Sequence, residues 1–134
     1  MALCADLFRE SDKEIGGTDP VSLDEKLYLA LDRSSSFCVA AWNDDGEPVA
    51  VASVIIARDP HHSVITATND TLYVRPEYRA SAFPGRLFFA LERTARFRGA
   101  ERFQWRVPSG SGLERALEKR PAYRRREVLF EKEL

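Results

Sequence analysis

No apolar run in the sequence approaches the roughly 20 residues that cross a bilayer. Asp6, Arg9 and Glu10 interrupt the N-terminal region where a signal peptide would carry its apolar stretch, so no secretory leader is expected and a cytoplasmic setting is. Cysteine is scarce. Cys4 and Cys38 both sit among apolar neighbours and read as two buried thiols rather than a disulfide. The histidines are also two, His61 and His62, with Asp59 as the carboxylate at hand. That set is too small for a zinc site, so no metal is expected and the pair reads as a solvated loop. Internal repeats, low-complexity tracts and long linkers are missing as well.

What remains is a globular composition, 44% hydrophobic and 31% charged over 134 residues. It fits one domain, residues 1–134, with one core. The net charge of −1 hides an asymmetry. Residues 1–70 carry 13 acidic and 5 basic side chains, whereas residues 71–134 carry 8 and 15. The basic half can face an anionic ligand, a nucleic acid or the acidic half itself, and the charge pattern does not choose among them.

Leu3, Cys4, Leu7 and Phe8 recur at helical spacing, which predicts a short helix over 2–11. Gly16, Gly17 and Pro20 break it, and Ser22 with Glu25 forms a capping box that opens a second helix ending at Ser34–Ser36. Phe37–Trp42 reads as a strand, Asn43–Gly46 as a hairpin turn, and Val49–Ala57 as a strand buried on both faces. After the loop at 59–62, Val64–Val74 is a strand. Its polar interruption at Asn69, Asp70 and Thr71 suggests a bulge or a working site.

Residues 75–84 read as a loop. A helix over 84–98 follows, with Pro84 near its start, Gly99 just past its end and an apolar stripe of Leu87, Phe88, Leu91 and Ala95. Phe103, Trp105 and Val107 alternate with Arg102, Gln104 and Arg106 as in a strand. Ser111 and Glu114 cap a helix to about Arg120, and Val128–Glu131 is read as a last strand. The order ααβββαβαβ predicts an α/β (α+β) domain, a mixed sheet with helices packed on it.

That order, and the stretch Leu72-Tyr73-Val74-Arg75-Pro76-Glu77-Tyr78-Arg79 continuing through Ala80 to Leu87, resemble the GNAT superfamily of N-acetyltransferases. The resemblance implies a mostly antiparallel, twisted mixed sheet. It also implies a strand that splays from its neighbour and offers backbone groups to the pantetheine arm of acetyl-CoA. The residues it places against CoA are Leu72, Tyr73, Val74, Arg79, Ala80, Ser81, Ala82, Phe83, Pro84, Gly85 and Arg86. The physical case stands beside it. CoA carries phosphates, a helix N-terminus binds phosphate through backbone N–H groups, and arginine adds bidentate donors.

The sequence departs from the family at three places. The usual loop, R/Q-x-x-G-x-G/A, reads Arg79-Ala80-Ser81-Ala82-Phe83-Pro84. Both expected small positions change, Pro84 removes a donor, and the loop looks like those of small phage-encoded relatives. The usual first strand is missing, which leaves the Phe37–Trp42 edge open and points to a homodimer. The usual catalytic tyrosine is absent from Leu117–Arg120, so Tyr123 is the candidate acid, with packing as its other reading. Asp70, placed four residues before Val74 and hence on the same face, is the candidate base or a turn cap, and Glu77 is the alternative base.

Tyr73, on the other face, is expected to pack, and Trp42 and Trp105, at strand positions, read as core or pocket wall. Arg124-Arg125-Arg126 is read as a solvated turn, or as a contact to CoA or nucleic acid. The function implied is acetyl transfer from acetyl-CoA to an amine acceptor, a small molecule or a macromolecule. The rival readings are a binding protein without turnover and a relative that modifies nucleic-acid bases; no membrane partner is expected.

Overall fold

A computed structural model describes Leu7 and residues 35–134. The helices expected over 2–11 and from Ser22 onward, together with Cys4, lie outside these residues. Leu7 is the exception: it is helical, fully buried, and packs with Val51 and Tyr73.

Among the described residues four strands form one mixed sheet in the order β1-β2-β3-β4. β1 (Ser36–Trp42) and β2 (Pro48–Arg58) are antiparallel, and β2 pairs antiparallel with β3 (Ile65–Val74). β3 pairs parallel with the short β4 (Arg102–Gln104). Three helices are described: α1 (Pro76–Arg79), α2 (Phe83–Phe97) and α3 (Gly112–Glu118). This is the expected mixed, mainly antiparallel sheet with helices on it.

β2 is buried without a break from Val49 to Val54, as a central strand covered on both faces must be. Its hairpin with β1 turns at Gly46, whose φ of 78° suits glycine, and Asn43 Oδ1 accepts from the N–H groups of Asp45 and Glu47. α2 buries the predicted stripe of Leu87, Phe88, Leu91 and Ala95. Leu87, Leu91 and Ala95 pack on Phe37, Ala50, Ala52, Val54, Ile56, Ala67 and Val74, which line one sheet face. Ser111 Oγ accepts from Glu114 N at 3.1 Å and starts α3, while Glu114 reaches back to the N–H of Gly110.

Several expectations are corrected. Val128–Glu131 is not a strand: Val128, Leu129 and Phe130 are 66%, 86% and 90% exposed and pair with nothing among the described residues. Three consecutive apolar residues need cover on both faces to form a strand, and no partner edge meets them among the described residues. The strand expected over 103–107 stops at Gln104. Part of the loop expected over 75–84 is the helical turn α1, opened by Pro76. Cys38 is exposed rather than buried, because it lies on the sheet face opposite α2.

Candidate functional site

The site is built where β3 loses its neighbour. Thr66, Ala67 and Thr68 pair with Arg102, Phe103 and Gln104, and the parallel register ends there. One residue later, the Asn69 side chain bridges the gap: Nδ2 donates to Arg106 O at 2.8 Å, and Oδ1 accepts from Arg106 N at 2.6 Å. Beyond it the two chains diverge. Arg75 N donates to Val49 O, so the peptide groups of Arg75 and Tyr73 face β2 and those of Leu72 and Val74 face the splay.

A bulge interrupts β3 at the same point. Ser53 pairs with Thr71 and Val54 with Asn69, which leaves Asp70 as the extra residue. Its carboxylate accepts from Ser53 Oγ at 3.1 Å, and Ser53 Oγ accepts from Thr71 N at 3.1 Å. The bulge shifts the alternation by one. Asp70 therefore lies on the face of Ser53 and Tyr73, not on the face of Val74 as strict alternation predicted. Asn69 takes the place expected of Asp70, on the α2 side, and is 4% exposed. Tyr73 packs as expected, buried against Leu7 and Val51, but on the Asp70 side of the sheet.

From Val74 the chain turns through α1 back toward the end of β3. Arg79 Nε donates to Val74 O at 2.6 Å, and its guanidinium lies 5.3 Å from the centre of the Tyr73 ring. Ser81 Oγ donates to Tyr78 O and accepts from Phe83 N, so the side chain that follows Ala80 organises the start of α2. The N-cap is Ala82, which offers no side-chain acceptor to the helix. Pro84 occupies the first turn, and a Cβ built on Gly85 meets nothing within 4 Å. Arg86 is exposed on the first turn of α2, and Glu77 is exposed on α1. The loop residues Arg79 to Arg86 are thus gathered beside the splay, at the N-terminus of a 15-residue helix.

The second candidate cluster is on the far side of the splay. Glu92, on α2, accepts from Trp105 Nε1 at 3.0 Å and from the Tyr123 hydroxyl. Trp105 also stacks on Phe88 and Phe103, at 4.7 and 4.4 Å between ring centres. Burial, then the Glu92 carboxylate, push the Tyr123 hydroxyl up to about 12. Glu92 was missed in the sequence, where it is one glutamate among many; its signal is its place on the α2 turn that meets Trp105. Asn69 was read as part of a polar interruption and not as a ladder rung.

The remaining candidates lie elsewhere. Asp59 accepts from the N–H groups of His61 and His62 and from His62 Nδ1, a turn that holds its own carboxylate below the usual value, chiefly through the His62 side chain. Arg125 pairs with Glu114 and Glu118, so part of the 124–126 run neutralises α3; Arg124 and Arg126 are exposed. Trp42 is half-exposed at the end of β1 rather than core. Among the described residues no helix is long and apolar enough to cross a membrane.

Comparison with solved structures gives the same architecture at low identity. A ribosomal-protein-alanine N-acetyltransferase of Brucella melitensis superposes with a TM-score of 0.74 at 18% identity, covering 99% of this chain and 92% of that one. An acetyltransferase of Trypanosoma brucei gives 0.71 at 16%, covering 97% and 92%. An aminoglycoside acetyltransferase from an uncultured soil sample, solved with sisomicin, gives 0.74 at 16%, covering 96% and 86%. No curated protein matches the chain. The model of the acetyltransferase (GNAT) family matches residues 2–119, a span that holds the splay, the bulge and the loop before α2, and the chain belongs to that family.

Proposed function

We propose that the protein is an acetyl-CoA-dependent N-acyltransferase that lets an amine attack the thioester directly, with both substrates bound together. The observation that carries this reading is the end of the β3–β4 ladder at Thr68 and Gln104, immediately before the loop that opens α2. The splay turns the Leu72 N–H and C=O and the Val74 N–H toward a slot that suits the amides of a pantetheine arm, while Val74 O accepts from Arg79. The open space at Gly85 and the start of α2 suit its phosphates. CoA supplies an activated acyl group and a thiolate leaving group.

Asp70 is the candidate base. Its exposed carboxylate stands at the bulge, beside the slot, on the face away from α2. There it takes the proton that the attacking nitrogen loses as the carbon–nitrogen bond forms and the carbon–sulfur bond breaks. Tyr123 is the tyrosine candidate for returning a proton to the thiolate. Its hydroxyl donates to Glu92 and, at about 12, is a weaker acid than a thiol at about 8.5, so the sulfur leaves as the thiolate and regains a proton from the one that Asp70 accepted, relayed through solvent. The acceptor is an amine. Relatives of the same fold include enzymes described by aminoglycoside and ribosomal-protein acetylation, so both small and macromolecular acceptors belong in the screen. A homodimer and a cytoplasmic setting complete the reading.

Thermal unfolding with acetyl-CoA tests the cofactor assignment. A ligand at 100 times its dissociation constant adds about 2.7 kcal/mol, a shift of several degrees for a domain of this size. No shift at millimolar acetyl-CoA or CoA overturns it. An amine screen that detects released thiol then separates an enzyme from a binding protein without turnover.

A further inference from the structure

Asn69 is a buried polar side chain that, among the described residues, binds no side chain: both ends of its amide are used on the backbone of Arg106. The β3–β4 ladder supplies the reason. After three regular rungs the next peptide of β4 is out of reach of the β3 backbone. The Asn69 amide, which has the same donor and acceptor as a peptide group, stands in for the missing rung at one side chain's length. The bulge at Asp70 is what aims it there. By shifting the alternation it turns Asn69 to the α2 side and Asp70 away.

We infer that Asn69 is a positioning residue that sets the width of the slot between β3 and the 105–107 segment, and so tunes the grip on the pantetheine arm of the acyl donor. The inference rests on the acyl-CoA reading above. Without the amide, the Arg106 N–H and C=O pair either with β3, which closes the slot, or with water, which lets it widen. Both outcomes remove the fixed spacing that an arm bonded to backbone amides requires. The nucleotide end of CoA, bound beyond Val74 at the start of α2, does not depend on this rung.

The test compares two ligands by calorimetry on the whole protein. Acetyl-CoA carries the arm, and adenosine 3′,5′-bisphosphate carries the nucleotide end without it. Asn69→Ala should weaken acetyl-CoA about tenfold or more, the scale of losing a buried hydrogen-bonding partner, and leave the bisphosphate unchanged. Asn69→Asp, which keeps the shape and the acceptor but loses the donor, should show the same selective loss and serves if the alanine variant does not fold. Asn69→Gln, which keeps both functions on a longer arm, should restore part of the acetyl-CoA affinity over alanine. Equal weakening of both ligands, or no weakening of acetyl-CoA, overturns the inference alone. A wild-type protein that binds neither ligand overturns the acyl-CoA reading and this inference with it.

Discussion

Ser53 on β2 and Asp70 on β3 hold the bulge together: the serine hydroxyl donates to the carboxylate at 3.1 Å while accepting from the N–H of Thr71 at the same distance. One hydroxyl therefore fixes both the extra residue and the return to register. It leaves Asp70 exposed at the splay.

Asp70→Asn separates chemistry from structure at this point. The amide keeps the shape and an acceptor for Ser53 but takes no proton. Turnover should fall by about 10²–10⁴ with acetyl-CoA affinity unchanged. Steady-state kinetics with an identified acceptor, paired with calorimetry, checks it. Normal turnover removes Asp70 from the reaction and moves attention to Glu77 or to water. Ser53→Ala should cost about 1 kcal/mol in denaturant unfolding.

Arg79 and Arg124 differ in what they touch. Arg79 ties the loop to Val74 O and covers Tyr73, whereas Arg124 is exposed beyond α3. Arg79→Ala should weaken CoA more than Arg124→Ala does. Calorimetry giving the reverse order shows that the phosphates lie near the C-terminal arginines instead.

Gly85 has no packing reason to be glycine, since its side of α2 is open. Gly85→Ala should raise stability by about 0.4–1 kcal/mol in denaturant unfolding, because alanine restricts the unfolded chain and favours helix. If CoA phosphates approach the backbone here, the same variant should bind CoA more weakly. Unchanged CoA affinity places the phosphates elsewhere on the loop.

Tyr123 ionises late because burial and Glu92 disfavour the phenolate. Its folded value, about 12, lies above its ordinary 10.0. The associated stability is therefore full below about pH 10 and is lost as pH rises through about 12. The difference between the ultraviolet titrations of wild type and Tyr123→Phe should be a single tyrosine transition near 12. A difference centred at 10 contradicts the Glu92 contact in solution.

A dimer should appear in light scattering at micromolar concentration, at twice the 15.2 kDa chain mass. Among the described residues β1 pairs on one side, and Val128, Leu129 and Phe130 are exposed apolar side chains. A mass near 15.2 kDa rejects it.

Local pattern alone determined much of this protein. The unbroken apolar run of β2, the Asn43–Gly46 turn and the stripe of Leu87, Phe88, Leu91 and Ala95 on α2 were legible because hydrophobic period and turn chemistry act over a few residues. The stretch from Arg79 to Arg86 was singled out by resemblance, and its part in binding CoA is the proposal made above. Tertiary structure alone decided which way the candidate residues face. A strand's faces follow from counting by two until a bulge adds one, and whether a polar interruption becomes a bulge depends on the strand beside it, here on Ser53. So Asp70 changed sides, and Asn69 became a rung. The same limit explains the C-terminus. Val128-Leu129-Phe130 has the composition of a strand, but a strand exists by pairing, and its partner edge is a matter of the whole fold rather than of those three residues.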